Sequence, residues 1–345
     1  MELKEFMYEL PQSLIAAYPT RDRAAARLLV VELGSGELRH LSFSDLGNFL
    51  QPGDVLVLND TRVFPARLRG RKESGGKAEV LLLEPFDERR SLWMALVEAA
   101  NSPRVGGRIF FADGFFAEVV GDLGKGQYGL RFHYQGDFME WLETQGEPPL
   151  PPYIQRTRAV ASTDWERYQT VYASHRGAVA APTAGFHFTQ QLLEELASRG
   201  VERAFLTLHV GPGTFQPVRD EVVEHHRMAG ERYKLEAEEA EKIERAKRMG
   251  KRVIAVGSTT TRTLEWIALR KGRIEADEGI ARLFIHPGYA FRVIDGLLTN
   301  FHLPGSTPLI LVSAFAGLDL VRRAYREAIR LNYRFYSYGD AMLIL

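Results

Sequence analysis

From Phe64 to Tyr134 the sequence reads as one short β-rich piece after another, and this run constrains the fold more than any other feature. The pieces are "ARLRGRK", "KAEVLLLEPF", "SLWMALVEA", "RIFFADG", "FFAEVVGDL" and "GQYGLRFHY". Gly75-Gly76, Asp113-Gly114 and Gly124-Lys125-Gly126 supply turn signals between several of them. Strands with turns at this spacing predict a small barrel or sandwich. A helix closes the segment, with Asp137 as N-cap, Glu140 at N3 and Gly146 past its end. The proline-rich "EPPLPPYIQR" (Glu147–Arg156) then reads as a stiff linker, in preference to a ligand for a proline-reading module.

On both sides of this run the texture is α/β. Ahead of it come a hairpin ("ARLLVVE" and "ELRHLSF"), a helix ("SDLGNFLQPG") and a buried strand ("DVLVL"). Behind it, helix "TQQLLEELASRG" leads to strand "RAFLTLHV", and helix "EAEEAEKIERAKRMG" to strand "KRVIAV". Helix "TRTLEWIALRKG", strand "ARLFIHP", the apolar "PLILVSAFAG" and an amphipathic last helix complete the pattern, without internal repeats. The fold expected is an α/β core domain, discontinuous in sequence (residues 1–64 and 149–345), with an inserted all-β barrel-like domain (65–148). A length of 345 residues also favours two domains.

Chemistry is expected in the loops that follow the core strands. In "AVAAPTAGFHFT", Pro182, Thr183, Ala184 and Gly185 form a tight loop carrying His187, just before a helix capped by Thr189 and stapled by Phe188 and Leu193. Such a loop lets backbone N–H groups approach an electron-rich ligand. Taken alone it reads better as a plain turn with His187 as core filler. Three similar loops shift the balance towards a pocket. His209 precedes Gly211 and Gly213; Gly257, Ser258 and Thr259 lead into a helix bearing Arg262; Asn300 and His302 precede another turn. Ligands in α/β sheets bind at strand C-termini, where loops of this kind gather. Asn59, Asp60 and Arg62 form a comparable polar cluster after "DVLVL".

Other motifs fail. "VVELGSG" imitates a methyltransferase glycine loop but lacks the third glycine and continues as a strand. His225-His226 with Glu224 and Glu231 suggests metal ligands, yet adjacent histidines diverge on regular structure, so no metal is expected. With no cysteine, disulfides and thiolate chemistry are excluded. Basic and acidic residues balance, 44 against 44, so a nucleic-acid partner needs a local patch. Arg62, Arg67, Arg69, Arg71 and Lys72, with no acid between them, are the candidate, against the plainer reading of a solvated face. The opening "MELKEFMYELPQSL" has no signal-like apolar run, and "PLILVSAFAG" falls short of the ~20 residues that span a bilayer, so a cytoplasmic protein is expected.

At these motifs the chain resembles the S-adenosylmethionine:tRNA ribosyltransferase-isomerase family of queuosine biosynthesis. "NDTRVFPARL", "PLPPYI", "ERYQTVYA", "AAPTAGFHFT", "TLHVGPGTFQPV", "STTTRTLE", "NFHLP" with "LVSAFAG", and "YRFYSYGDAMLI" carry the resemblance, in order, over essentially the whole chain. It implies an α/β core with an inserted β-barrel. It also implies S-adenosylmethionine as co-substrate, donating its ribosyl group to the aminomethyl group of a 7-deazaguanine at the tRNA wobble position. Epoxyqueuosine-tRNA, adenine and methionine are the implied products. The pattern is broken at Ala229, where the family carries a second histidine, and at Gly305 and Pro308, where it carries lysine and leucine.

That chemistry calls for a base to remove a ribose C5′ proton acidified by the sulfonium, and for an acid to help adenine leave. Histidine suits both. His187 and His209 are the first candidates, His302 and Asp60 the next, with base and acid left open. Arg62 and Arg262 suit the methionine carboxylate or an RNA phosphate, and Ser258 and Thr259 the ribose hydroxyls. Asn59, Thr183, Gly185, Gly211, Gly213 and Asn300 complete the expected substrate-binding set, and Arg67, Arg69, Arg71 and Lys72 the tRNA-binding set. The partner implied is tRNA carrying 7-aminomethyl-7-deazaguanine, met by a monomer without an obligate protein partner. An RNA methyltransferase and a non-catalytic tRNA-binding module are the rival readings.

Overall fold

The computed structural model describes residues 1–87, 90–151, 154, 163–211 and 218–345. A hairpin, β1 (Arg27–Val31) and β2 (Leu38–Ser42), opens the regular structure and is followed by β3 (Val55–Asn59) and β4 (Thr61–Val63). The helix expected between β2 and β3 is a 3-10 segment, Phe43–Asn48, held by a capping box between Ser42 and Asp45. It has only six residues, one of them Gly47, too few for a stable α-helix of its own.

The β-rich run forms β5 (Arg67–Lys72), β6 (Lys77–Pro85), β7 (Leu92–Ala99), β8 (Arg108–Phe110), β9 (Phe116–Gly124) and β10 (Gln127–His133). They close into a six-stranded barrel in the order β10-β7-β6-β5-β8-β9. Alternate side chains point inward, so Leu68, Val80, Leu82, Ala95, Val97, Ala117 and Val119 fill it. Helix α1 (Phe138–Gln145) packs onto this core through Phe138, Trp141 and Leu142, with Trp141 stacked on Phe115 at 4.2 Å. Asp137 caps it, accepting from the Met139 and Glu140 N–H groups.

After the barrel come α2 (Thr163–Arg167), β11 (His175–Ala178), α3 (Gln190–Ser198), β12 (Glu202–Leu208), β13 (Glu231–Leu235) and α4 (Ala237–Arg248). The chain finishes with β14 (Val253–Val256), α5 (Ser258–Lys271), β15 (Asp277–Ala281), β16 (Gly296–Asn300), α6 (Thr307–Ala316), α7 (Leu318–Arg330) and β17 (Ala341–Ile344). The strand expected at "ARLFIHP" thus lies earlier, where Asp277–Ala281 pairs antiparallel with β13.

Nine strands make the core sheet, in the order β15-β13-β12-β3-β14-β16-β17-β1-β2, with β12, β3, β14 and β16 mutually parallel. Both faces are covered, which is why its central strands read as unbroken apolar runs. Val55, Val57, Val253, Ala255 and Leu297 face α4, α5, α6 and α7. Leu56, Leu58, Ile254, Val256 and Leu298 face α3 and the Phe43–Asn48 turn. The fold is therefore an α/β core, built from both ends of the chain, with an inserted all-β barrel. Among the described residues, no helix is long and apolar enough to cross a membrane.

Candidate active site

The C-terminal tips of β12, β3, β14 and β16 share one sheet edge, the edge where α/β proteins bind ligands. At the tip of β3, buried Asn59 donates from Nδ2 to the Leu208 carbonyl at 3.0 Å. Its Oδ1 accepts from the Leu208 and Thr61 N–H groups at 3.1 Å each. Asn59 thereby fastens β3 to β12 where their ladder runs out, and these bonds commit it to the scaffold.

The next two residues build the polar centre. Asp60 Oδ1 accepts from Thr207 Oγ1 at 2.7 Å, and Oδ2 lies 2.9 Å from His175 Nδ1. Thr61 Oγ1 lies 2.8 Å from His209 Nδ1. The His209 ring rests on Gly177, where a Cβ would come within 2.6 Å of it. Burial lowers the His209 pKa below the usual imidazole value, with Asp60 opposing, so the ring is neutral at pH 7. His175, on β11, was not among the expected residues. It sits next to the "AVAAPTAGFHFT" motif but has no local pattern of its own; only the pairing of β11 with β4 sets it on Asp60.

Two cavities meet here. A cleft of about 520 Å³ lies between barrel and core, with Phe64, Trp93 and Met139 on one side and Gly177, His209 and Gly211 on the other. A hollow of about 60 Å³ is lined by Thr183, Ser258, Thr259, Asn300 and His302, among others. Val210 lines both, and the Val179 and Ala180 N–H groups donate to its carbonyl at 3.1 and 3.2 Å. The dividing wall is therefore a hydrogen-bonded pair of backbone segments. Four of the expected loops line the hollow, through Thr183, Val210, Ser258 and Asn300, and the Asn59–Arg62 loop joins them through the Thr61–His209 contact.

Among the described residues the hollow is lined by no Asp, Glu, Lys or Arg, and the His302 imidazole there is held neutral by burial. Instead the first turns of α5 and α6 reach it at Ser258, Thr259 and Pro308. Gly257, at φ +97°, makes the turn from β14 into α5 in a conformation that side-chain-bearing residues disfavour. The first intrahelical donor of α5 is the Thr261 N–H, bonded to the Gly257 carbonyl, so the preceding N–H groups point forward from the helix end. Two helix N-termini beside several hydroxyls suit an anionic, hydroxyl-bearing ligand.

The other expected residues divide. His187 is buried against Phe43, and its Nε2 is 3.3 Å from Asn300 Nδ2, while Asn300 Oδ1 accepts from Thr183 Oγ1 at 3.3 Å. Burial pushes its pKa down to about 3. His302 is likewise pushed down to about 3 by burial, with Nε2 at 2.8 Å from Thr299 Oγ1. Its N–H donates to Tyr325 Oη at 3.0 Å, and Tyr8 Oη donates to its carbonyl. Both are neutral, fixed rings; His302 lines the hollow itself, and His187 stands behind it against Asn300.

These depressed values have a stability consequence. Each ring takes a proton near pH 6.5 when unfolded but not until about pH 3 when folded, so stability is lost as pH falls below 6.5. At pH 5 the loss is about 2 kcal/mol for each histidine. Urea melts at pH 7 and pH 5 will show it, and His302→Gln will flatten the difference by about half.

Arg262 is not free for a substrate carboxylate. It is buried in an ion pair with Glu231, 2.5 Å from Nη2 to Oε2, and Glu231 Oε1 accepts from the Gly211 N–H at 3.2 Å. Gly185 is needed for packing, since a Cβ there would collide with the Tyr172 hydroxyl. Arg62 is exposed on β4, opposite Arg176 of β11. Gly213 lies outside the described residues. Gly305 has φ +64°, and a Cβ would meet Met7 Sδ at 2.9 Å, so a lysine there would strain this backbone. Ala229 lines the cleft.

The basic run is partly neutralised. Arg67 pairs with Glu79, and Arg69 pairs with Glu147 at 2.9 Å and Glu79 at 3.4 Å. Arg71 and Lys72 donate to the Gly75 and Asn101 carbonyls at 3.1 and 2.7 Å. The acids come from the paired strand and from beyond α1, out of sight of the local sequence. The suspected metal ligands are also engaged elsewhere, with Glu231 on Arg262 and His226 Nδ1 3.3 Å from Asp220.

Comparison with known proteins agrees with this architecture. A family model described as "Queuosine biosynthesis protein" matches residues 3–344. S-adenosylmethionine:tRNA ribosyltransferase-isomerase of Pelobacter propionicus is 52% identical over 344 residues, and that of Geobacter metallireducens 51% over 344 residues, each covering 100% of both chains. The crystal structure of S-adenosylmethionine tRNA ribosyltransferase from Thermotoga maritima is 36% identical, with a TM-score of 0.56, covering 99% of this chain and 100% of that one. By matches that run the length of both sequences, the chain belongs to the queuosine biosynthesis family of S-adenosylmethionine:tRNA ribosyltransferase-isomerases.

Proposed function

We propose that this protein transfers and isomerises the ribosyl group of S-adenosylmethionine onto the aminomethyl group of 7-aminomethyl-7-deazaguanine at the tRNA wobble position. Epoxyqueuosine-tRNA forms, and adenine and methionine leave. The observation that carries the reading is His209, a neutral imidazole lining the cleft next to Val210, which borders both cavities, at the strand edge where its relatives' name requires a site for two substrates.

S-adenosylmethionine brings a sulfonium that acidifies its ribose C5′ hydrogens, and the chain must supply a base, a proton donor and fixed seats. His209 serves as the base, because burial keeps its free nitrogen unprotonated at neutral pH. Thr61 holds Nδ1, leaving Nε2 for the proton to be removed. His175, oriented by Asp60, is the neighbouring group able to carry a proton to the departing adenine. We assign the methionine carboxylate to the two helix N-termini in the hollow, beside the Ser258, Thr259 and Thr183 hydroxyls, with the ribose passing Val210 towards the cleft that His209 lines. Asn300 links His187 to Thr183 and positions that hydroxyl. The protein acts as a cytoplasmic monomer.

Product analysis tests the reading against its rivals. Incubation with S-adenosylmethionine and tRNA bearing the aminomethyl base should release adenine and methionine in equal amounts. S-adenosylhomocysteine would identify a methyltransferase instead, and an unchanged co-substrate a binding module.

A further inference from the structure

The cleft between barrel and core, at about 520 Å³, is far larger than the hollow of about 60 Å³ beside it. Its barrel side is apolar, with the thioethers of Met94 and Met139 beside the largely buried rings of Phe64 and Trp93. Trp93 is fixed there by its Nε1–H, which donates to the Arg90 carbonyl at 2.7 Å. Arg90, Arg176 and Arg232 also line it, drawn from barrel and core alike. Arg90 and Arg232 lie close enough to His209 to disfavour its protonation. From β6, Glu84 reaches across and accepts from Arg232 Nε on β13, so one wall presents a carboxylate and a guanidinium side by side.

Each feature has a counterpart in one kind of ligand. Aromatic and thioether surfaces stack on a base. Arginines at a pocket bind flanking phosphates. A guanine-type base shows two N–H donors beside a carbonyl acceptor on its pairing edge, which a carboxylate next to a guanidinium complements. In an unpaired loop that edge is already free, but the faces become free to meet an aromatic or thioether surface only when the base leaves its stack, as enzymes that act on a base in nucleic acid commonly make it do.

We propose that the cleft receives a guanine-type base turned out of the RNA stack, with Glu84 and Arg232 reading its pairing edge. This rests on the proposed reaction. The base then lies across the Val210 wall from the hollow, with its 7-substituent towards His209. Glu84 and Arg232 are specificity residues; the existing ion pair opens and each partner exchanges its mate for the base.

The test uses the full-length protein with an anticodon stem-loop carrying 6-thioguanosine at the wobble position. After irradiation, adducts should map to Leu83–Met94, Met139 or Met228–Arg232. Adducts confined to the outer barrel strand at Arg69 and Arg71 would overturn the proposal. Independently, Glu84→Gln should raise KM for the modified tRNA about 10-fold to 100-fold, from the loss of one paired edge contact. KM for S-adenosylmethionine and the melting temperature should stay near wild type. A variant with unchanged KM for the tRNA, or with both KM values raised alike, would count against it. Adenine release by wild type keeps the two ideas apart: release with adducts elsewhere sinks the base pocket alone, and no release sinks the reaction.

Discussion

Replacing His209 with alanine lowers the rate of adenine release by about 10²–10⁴-fold, the range for loss of a general base, while the protein melts close to wild type. Among the described residues the imidazole has one side-chain hydrogen-bond partner, Thr61 Oγ1, and it borders an open cleft, so water can take its place when the ring is cut away. The stability cost is then about 1 kcal/mol, the net worth of one hydrogen bond. A pH profile sharpens the expectation. Because burial lowers the His209 pKa, the base form persists below the usual imidazole value, and the acid limb of kcat/KM lies below about pH 6.5. That limb disappears in the alanine variant. Adenine release measured from pH 5 to pH 8, with thermal melts beside it, decides the matter. Near-normal turnover by the variant would remove His209 from the proton transfers and leave the His175–Asp60 pair as the base. His187→Ala should behave in the opposite way, losing stability, because its ring is buried against Phe43 and bonded to Asn300.

Arg262→Ala costs about 3–5 kcal/mol of stability, since it takes the guanidinium at 2.5 Å away from the buried Glu231 carboxylate. The loss reaches the active site, because Glu231 also holds the Gly211 N–H next to the cleft. A double variant, Glu231→Gln with Arg262→Met, should recover much of this stability. It removes both charges together, and the glutamine carbonyl can still accept from Gly211. Urea unfolding of the three proteins measures the effect. If Arg262→Ala unfolded like wild type and only raised KM for S-adenosylmethionine, the arginine would be the carboxylate clamp that its place after "STTT" first suggests.

The contrast between these two residues shows where sequence reasoning reached and where it stopped. Strand alternation sets His209 opposite Leu208 and Val210, and the structure keeps both of those in the apolar core while His209 faces the cleft. Arg262 stands in an equally suggestive loop, yet its partner comes from β13, 31 residues earlier. No local pattern shows that a charge has already been matched.

What the sequence determined by itself is whatever depends on neighbours along the chain. Period-two alternation and turn glycines specify the barrel strands, Asp137 and Thr189 start their helices, and apolar runs mark the strands buried on both faces. The polar, glycine-bearing loops at strand ends announce a site for the same reason, because chain direction in a parallel sheet sends them all to one edge. Tertiary structure decided everything that depends on pairing across distance. It set His175 on Asp60 through the β11–β4 ladder, and it neutralised Arg67 and Arg69 with Glu79 and Glu147. It also opened the cleft by standing the barrel against the core, with Glu84 meeting Arg232 from 148 positions away. Charges and cavities are settled by what lies within a few ångströms in space, and in a discontinuous fold those neighbours are scattered along the chain.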